Sequence, residues 1–226
     1  YAVNEDQIKS FIEANSDVEV EVINTSTTPW IVKGEDTLYC AKRGSELVIT
    51  YETDYILELS CKRVSDYYYV KFTLDGKQRS YSSNTNAAFT LPAGRHELKI
   101  KSSWSSSYVK GLSIKKICRN SDIKAMIEAN SEVEVEVLND SVNPWIIVGE
   151  DSISSYVTGS KLEIKYSSEK LTEICFNRSI EKVYLDGVEC YNESQVGYGD
   201  RFHMFSGKGY FNFHLPAGQH VIDVYS

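Results

Sequence analysis

The feature that most constrains this chain is an internal duplication with a spacing of about 115 residues. Residues 8–38 read IKSFIEANSDVEVEVINTSTTPWIVKGEDTL, and residues 123–153 read IKAMIEANSEVEVEVLNDSVNPWIIVGEDSI. A period of this length is too long for a solenoid repeat and matches one whole small domain. We therefore expect two tandem domains, residues 1–118 and residues 119–226, each with its own hydrophobic core.

Composition narrows the class of protein. Of the 226 residues, 42% are hydrophobic and 25% are charged, as in an ordinary globular protein, and no long apolar run predicts membrane insertion. The formal net charge of -8 argues against a nucleic-acid partner, because such proteins usually carry a basic patch. The five cysteines do not recur at equivalent places in the two copies, which disfavours a shared disulfide framework or metal cage. The chain begins at Tyr1 without an initiator Met, so it has either been processed or been cut from a longer protein. The repeat favours the second, and we expect the chain to be attached to other domains of a larger protein.

Each copy is expected to open with a short amphipathic helix. In the second copy, Ser121 or Asp122 suits the N-terminal cap, apolar residues follow at helical spacing, and Asn130 suits a left-handed stop. The first copy shows the same pattern from Asp6 to Asn15. Each helix therefore precedes the first strand of its domain.

The remainder of each copy predicts short antiparallel strands. The VEVEV segment alternates strictly, which places Val18, Val20 and Val22 inward and the two glutamates in water. Asp75 and Gly76, like their counterparts in the second copy, predict a tight hairpin turn. Many short strands with turn signals between them are typical of a β-sandwich.

The order of these motifs resembles the jelly-roll, galactose-binding-like modules of bacterial surface and secreted proteins. The likeness rests on a Trp turn, Gly-Ser-x-Leu-x-Ile, Leu-Asp-Gly and Leu-Pro-Ala-Gly-x-His, and it covers most of both copies. It implies an all-β fold of two tandem, jelly-roll-like β-sandwich domains, each opening with a short helix. It also implies a pair of non-catalytic modules that bind a polysaccharide or another glycan or act in adhesion, with an extracellular or cell-surface location.

Residues that both copies share fit structural roles better than functional ones. Trp30 and Trp145 each follow a proline and precede an apolar residue, which is typical of packing. His96 and His220 lie in the shared Ala-Gly-x-His turn, where we expect a hydrogen-bonded structural group and not a metal ligand. The shared Glu-Asp turn offers two carboxylates, whereas Ca²⁺ takes about six to eight oxygens. We predict no metal site and no cofactor.

Segments in which the copies diverge are the candidates for ligand recognition. The first copy has three consecutive tyrosines at residues 67–69 and the serine-rich segment SSWSSSY, in which we predict Trp104 and Tyr108 as ligand-binding residues. The second copy has a longer excursion containing VGYGDRFHMFSGKGYF. Aromatic faces beside planar hydrogen-bonding groups suit a sugar ring, which offers C–H patches and hydroxyl groups. The predicted ligand-binding residues of the second copy are Tyr198, Asp200, Arg201, Phe202 and Tyr210.

Alternatives to glycan binding stay open at this point. The second-copy excursion could equally form another hairpin with half of its rings in the core. The domains could also serve as a stalk or spacer, or associate with other proteins through an exposed strand edge. The sequence has no G-x-S-x-G elbow, H-E-x-x-H, paired C-x-x-C or P-loop motif. Although a glycosidase needs only two carboxylates, we expect no enzyme.

Overall fold

The computed structural model describes residues 2–24, 26–65, 69–79, 86–150, 152–177, 182–190, 204–207 and 210–226. The chain divides into two compact units, Tyr1–Ile117 and Cys118–Ser226, called unit 1 and unit 2 below. Apart from two helices, the regular elements in these ranges are strands in antiparallel sheets, so the fold is all-β and sandwich-like, as predicted. Within the same ranges, neither helix has the length and apolar run that a membrane crossing requires.

Unit 1 begins with helix α1 (Ala2–Ala14). Its strands form a five-stranded sheet in the order β1-β4-β10-β7-β8, a four-stranded sheet β2-β3-β11-β6 and a three-stranded sheet β12-β5-β9. The strands are β1 (Val20–Ile23), β2 (Ile31–Lys33), β3 (Thr37–Cys40), β4 (Glu46–Thr53), β5 (Tyr55–Cys61), β6 (Arg63–Val64), β7 (Val70–Leu74), β8 (Lys77–Arg79), β9 (Ala87–Leu91), β10 (Gly94–Ser102), β11 (Ser107–Lys110) and β12 (Ser113–Arg119).

The hydrophobic core of unit 1 lies between its sheets. Leu47, Ile49 and Tyr51 alternate along β4 and are all buried, as the period of two in a strand requires. Phe72 of β7 meets Phe89 of β9 edge to face, with 5.3 Å between ring centroids. The five-stranded sheet therefore packs against the three-stranded sheet. Burial of each such side chain stabilises the fold by about 1.5–3 kcal/mol.

Unit 2 contains helix α2 (Asn120–Ala129) and ten strands among its described residues. They form a five-stranded sheet β13-β16-β22-β18-β19, a two-stranded sheet β14-β15 and a three-stranded sheet β17-β21-β20. The strands are β13 (Val135–Leu138), β14 (Ile146–Val148), β15 (Ser152–Ser154), β16 (Lys161–Ser168), β17 (Thr172–Asn177), β18 (Lys182–Leu185), β19 (Val188–Cys190), β20 (Met204–Gly207), β21 (Tyr210–Leu215) and β22 (Gly218–Tyr225).

The ends of α2 differ from the predicted ones. The helix begins before Ser121, and Asp122 accepts a hydrogen bond from the Arg119 N–H at 2.8 Å, so neither predicted residue is the N-cap. Asn130 has a φ of -105° and is not left-handed. Its side-chain amide donates instead to the Met126 carbonyl at 2.9 Å. That bond satisfies one of the free carbonyls at the helix end, so no left-handed residue is needed.

Helix α1 begins four residues before the predicted cap, Asp6. Two side chains in the added turn are bound to the segment between β1 and β2. The Asn4 side-chain amide donates to the Trp30 carbonyl at 3.0 Å, and Glu5 accepts a hydrogen bond from the Asn24 N–H at 3.0 Å. These long-range contacts extend the helix beyond the start that its local sequence predicts.

The shared tryptophans are structural, as predicted. Trp30 is fully buried and its indole N–H donates to the Ser45 carbonyl at 3.1 Å; Trp145 is 4% exposed and donates to the Ser160 carbonyl at 3.2 Å. The Asn24 side chain also binds both the N–H and the carbonyl of Trp30, at 3.1 and 2.8 Å. Each ring therefore fills the core without leaving its polar N–H unpaired.

The shared histidines are also structural, and each pairs with the aspartate of the Asp-Gly hairpin. In unit 1, His96 Nδ1 lies 2.6 Å from Asp75 Oδ2, and Nε2 lies 2.9 Å from the Ala93 carbonyl. The other carboxylate oxygen of Asp75 accepts the Glu97 N–H at 2.9 Å. Asp75 has a φ of 47°, in the left-handed region that the predicted tight hairpin turn requires.

The same Asp–His pair recurs in unit 2. His220 Nδ1 lies 2.6 Å from Asp186 Oδ2, and Nε2 lies 2.8 Å from the Ala217 carbonyl. Both ring nitrogens face acceptors, so the doubly protonated imidazolium satisfies the site best. The hydrogen bond to Asp186 raises the pKa of His220. Partial burial would raise the pKa of Asp186, but its hydrogen bonds to His220 and the Val221 N–H outweigh burial and lower it.

Four cysteines are free thiols in the described residues. Cys40, Cys61 and Cys118 are buried, and Cys190 is half-buried. Burial raises the pKa of the Cys61 thiol to about 12. Because the thiolate is the reactive form, Cys61 behaves as a small apolar core residue.

Candidate functional site

The structure places two of the predicted ligand-binding residues on unit 1. Trp104 lies in the loop between β10 and β11, called the Trp104 loop (residues 102–107), and Tyr108 lies in β11. In unit 2, β20 and β21 pair antiparallel, as the hairpin alternative predicts for that part of the excursion, while the burial of its rings stays a prediction. Tyr210 is the first residue of β21, and four further predicted residues lie outside the described ranges: Tyr198, Asp200, Arg201 and Phe202.

Buried serines fix the backbone of the Trp104 loop. Ser102 and Ser107 are fully buried, although serine is usually a surface residue. The Ser102 hydroxyl donates to the Trp104 carbonyl at 2.7 Å, and the Ser107 hydroxyl donates to the Tyr69 carbonyl at 2.8 Å. The Ser103 N–H also donates to the Tyr69 carbonyl, at 2.7 Å. The serine-rich sequence is therefore a hydrogen-bonded platform that holds the loop in one conformation.

The indole ring of Trp104 projects from this platform into solvent. Trp104 is 52% exposed. Its ring stacks on the Tyr69 ring with an interplanar angle of 15° and 5.9 Å between the ring centroids. Ser106, in the same loop, has a φ of 61°. A left-handed non-glycine residue costs about 1–3 kcal/mol, and such strain is concentrated at functional sites. The loop therefore maintains an exposed aromatic face at the expense of backbone strain.

A second aromatic surface crosses the four-stranded sheet of unit 1. Ile31 of β2 pairs with Tyr39 of β3, which pairs in turn with Tyr108 of β11. Tyr39 and Tyr108, called the aromatic row, are half-buried and Ile31 beside them is exposed, whereas Leu38 and Val109 on the opposite face are fully buried. The aromatic row therefore lies on the outer face of the sheet, with Ile31 in line with it on the next strand.

Basic residues follow the aromatic row on the same outer face. Lys33, Lys110 and Arg63 are exposed, and each is next to an inward-facing residue of its strand: half-buried Val32, buried Val109 and buried Val64 respectively. The Lys33 ammonium lies 4.4 Å from the centroid of the Tyr39 ring, within the range of a cation–π contact. Lys110 pairs with Asp36 at 3.9 Å. This face thus combines flat apolar rings with hydrogen-bond donors.

Tyr39 connects the aromatic row to the Trp104 loop. Its hydroxyl lies 3.4 Å from the hydroxyl of Ser106, two residues after Trp104. Sequence reasoning missed Tyr39, whereas Tyr69 belongs to the three-tyrosine segment that it named among the divergent candidates. Tyr39 could have been found from the sequence, because it is an aromatic residue at an outward position between the inward Leu38 and Cys40, and the equivalent residue of the second copy is Ser154.

A surface groove of about 680 Å³ lies between α1 and β2. It is lined by Asp6, Gln7, Ser10, Phe11 and Val32. Asp6 is the one carboxylate among these lining residues, whereas glycoside hydrolysis uses a pair of carboxyl groups. Across the described ranges, no group of three or more His, Cys, Asp or Glu side chains is placed to hold a metal ion. The Trp104 loop and the aromatic row are therefore the better candidate surface.

Comparisons with known proteins give no family. No family model and no curated protein matches the chain. Among solved structures, the chain is similar to a cycloisomaltooligosaccharide glucanotransferase from Paenibacillus sp., with 9% identity and a TM-score of 0.24 over 92% of this chain and 44% of that one. It is also similar to a GH2 beta-galacturonidase from Eisenbergiella tayi, with 10% identity and a TM-score of 0.25 over 92% of this chain and 37% of that one. The chain spans less than half the length of either enzyme, and similarity this low supports no function.

Proposed function

We propose that the chain is a non-catalytic carbohydrate-binding module and that Trp104 stacks on a sugar ring. The observation that carries the proposal is the exposed Trp104 ring on a loop fixed by buried serines. A tryptophan buries up to about 250 Å², so leaving half of that area in water forgoes about 3 kcal/mol of burial. The C–H face of a pyranose recovers part of this free energy when it covers the ring.

Polar groups around the ring suit the rest of a sugar. The exposed hydroxyls of Ser105 and Ser106, the two tyrosines of the aromatic row and Lys33 offer both donors and acceptors. The Trp104 ring stands on the surface and not inside a deep cavity. Such an open site accepts internal residues of a long glycan as well as its ends.

The location of the protein is part of the same proposal. We assign the module to the extracellular space or the cell surface, attached to further domains of a bacterial protein. A weak binding surface without catalytic groups acts by keeping its neighbours close to a repetitive glycan, where multiple contacts raise the avidity. The support for this part is the resemblance in the sequence motifs.

The test is affinity electrophoresis of the full chain in native gels that contain soluble plant or host polysaccharides, followed by calorimetry on any glycan that retards it. We expect Trp104→Ala to weaken binding about tenfold, which corresponds to about 1.4 kcal/mol, and Trp104→Phe to keep most of it. Tyr156→Ala is the matched control, since Tyr156 is an aromatic residue of unit 2 with 47% exposure. Retardation that Trp104→Ala leaves unchanged, or no retardation by any polysaccharide, would overturn the proposal.

A further inference from the structure

Three basic residues lie in line across the outer face of the four-stranded sheet of unit 1. Lys33 of β2 pairs with Thr37 of β3, which pairs in turn with Lys110 of β11. On its other side, Lys110 pairs with Arg63 of β6. The three basic residues, called the basic row, are all exposed. Since neighbouring strands lie about 4.8 Å apart, the basic row spans about 14 Å of the sheet.

The basic row does not follow from the needs of the fold. Lys110 and Arg63 lie directly opposite each other, and like charges in that position destabilise a sheet. The ion pair of Lys110 with Asp36 joins two half-exposed side chains at 3.9 Å, so it offsets little of this repulsion. In unit 2, β14 and β15 pair in the same register as β2 and β3 with Val148 at the place of Lys33. Pairing of these strands therefore does not require a charge.

The charge around the basic row is positive, although the whole chain has a net charge of -8. Lys62 lies beside the end of β11, because its Cγ and Cδ would be 2.7 Å from a Cβ placed on Gly111. The turn between β2 and β3 supplies two carboxylates, from Glu35 and Asp36. The basic row and Lys62 thus provide four cations beside two carboxylates. This surface attracts anions locally even though the chain repels them at a distance.

The basic row is continuous with the surface proposed to bind a sugar. Tyr108 and Lys110 are two positions apart on the same face of β11, which separates them by about 7 Å along the strand. The Lys33 ammonium lies 4.4 Å from the centroid of the Tyr39 ring, so it joins the basic row to the aromatic row. The Tyr39 hydroxyl in turn lies 3.4 Å from a serine hydroxyl of the Trp104 loop. An extended ligand on the Trp104 ring therefore reaches the basic row across the aromatic row.

We infer that the glycan of unit 1 is acidic and that the basic row binds its carboxylate or sulfate groups, an inference that rests on the proposed function. Arg63 offers a planar fork of donors that matches either anion, and the two lysines add point charges. Because the whole chain is negative, attraction is confined to groups within about 8 Å of the basic row at physiological salt. A glycan held there by ring stacking fits this condition better than a nucleic acid, which binds mainly through long-range attraction to its phosphates.

The test compares neutral and acidic polysaccharides of matched backbone in affinity electrophoresis of the full chain. Polygalacturonate against highly methyl-esterified pectin tests a carboxylate, and dextran sulfate against dextran tests a sulfate. The gels contain EDTA, so that divalent cations do not bridge the protein and the polyanion. We expect the acidic member of one pair to bind about tenfold more tightly than its neutral partner. Calorimetry in about 1 M salt, where the Debye length is about 3 Å, should remove most of that difference.

Paired charge variants test the basic row itself. We expect Lys33→Gln/Lys110→Gln to weaken binding of the acidic glycan about tenfold. The control Lys71→Gln/Lys77→Gln removes two exposed lysines of the five-stranded sheet, so it has the same net charge and should bind as the unaltered chain does. Lys33→Arg/Lys110→Arg keeps both charges and should keep most of the affinity. Arg63→Gln provides the same readout if the double glutamine variant fails to fold.

Three outcomes would overturn the inference and leave different conclusions. Equal retardation by the neutral and acidic members of both pairs would refute an acidic glycan while the proposed function stands. Equal loss in the two glutamine variants would mean that net charge and not the basic row governs binding. Retardation by polyuridylate as strong as that by the acidic glycan would mean that the surface binds nucleic acid or any other polyanion. Absence of retardation by every polysaccharide would instead refute the proposed function, and this inference with it.

Discussion

The Asp–His pair of unit 2 predicts a pH-dependent part of its stability. Replacing Asp186 by Asn keeps the shape of the side chain and removes the charge that holds the imidazolium. The carboxylate accepts two hydrogen bonds, from His220 at 2.6 Å and from the Val221 N–H at 2.9 Å. A hydrogen bond to a charged group contributes about 1.5–3 kcal/mol when it is sheltered from water. Since the Asp186 side chain is 47% exposed, solvent screening reduces this to about 1 kcal/mol.

The pKa shifts fix the sign of the pH dependence. The pKa of His220 is raised, so its stabilisation is fully present below the unfolded value of about 6.5 and is lost as pH rises through the folded pKa. The pKa of Asp186 is lowered, so its stabilisation is present above the unfolded value of about 3.8 and is lost as pH falls through the folded pKa. The Asp186→Asn variant should therefore lose most stability between about pH 4 and pH 6.5.

The assay is thermal unfolding of the full chain at pH 5.5 and pH 9. We expect Asp186→Asn to lower the Tm of the unit 2 transition by about 4 °C at pH 5.5, from about 1 kcal/mol in a domain of this size, and by less at pH 9. Glu136→Gln is the matched control, because it removes one exposed strand carboxylate and should change neither value. An equal loss at both pH values would refute the imidazolium–carboxylate interpretation.

Two further substitutions test the packing. Gly111→Ala should destabilise unit 1 by about 2–3 kcal/mol in urea unfolding, because Gly111 has a φ of 67° and a Cβ there would lie 2.9 Å from Lys62 Cβ. The control Gly34→Ala, at a φ of 70° in open space, should cost about 1 kcal/mol. Equal costs for the two substitutions would contradict the steric argument. Trp145→Phe should cost about 2–3 kcal/mol of unfolding free energy by the same measurement. The smaller ring leaves a cavity, and the Ser160 carbonyl loses the indole N–H that donates to it at 3.2 Å. A loss below about 0.5 kcal/mol would show that the core repacks around the smaller ring.

Local patterns predicted the parts of the fold that local physics determines. Alternation in VEVEV placed Val18 and Val20 correctly in the core, and Asp75 correctly at a left-handed turn position. The start of α1 could not be predicted in this way. It depends on hydrogen bonds from Asn4 and Glu5 to residues that are about 20 or more positions away in the chain. Helix ends fixed by tertiary contacts carry no signal in the neighbouring sequence.

The candidate site likewise combines a feature that the local sequence predicts with features that depend on contacts between distant residues. Trp104 stands out in the sequence because it is the one aromatic residue within a run of serines. The stack of its ring on Tyr69 depends on bringing together residues 35 positions apart, and the aromatic row depends on the register of β11 against β3. One residue of slip would turn Tyr108 toward the core. Composition and spacing alone do not determine that register.

The two Asp–His pairs also show where this fold tolerates a longer chain segment. In unit 1 the paired residues are 21 positions apart, and in unit 2 they are 34 apart, yet both pairs have the same 2.6 Å contact. Closing the longer stretch costs only about 0.4 kcal/mol more in chain entropy. The stretch between aspartate and histidine can therefore lengthen without loosening its anchor points. For protein engineers, the unit 1 stretch is the natural position for inserting a reporter peptide or an additional recognition loop.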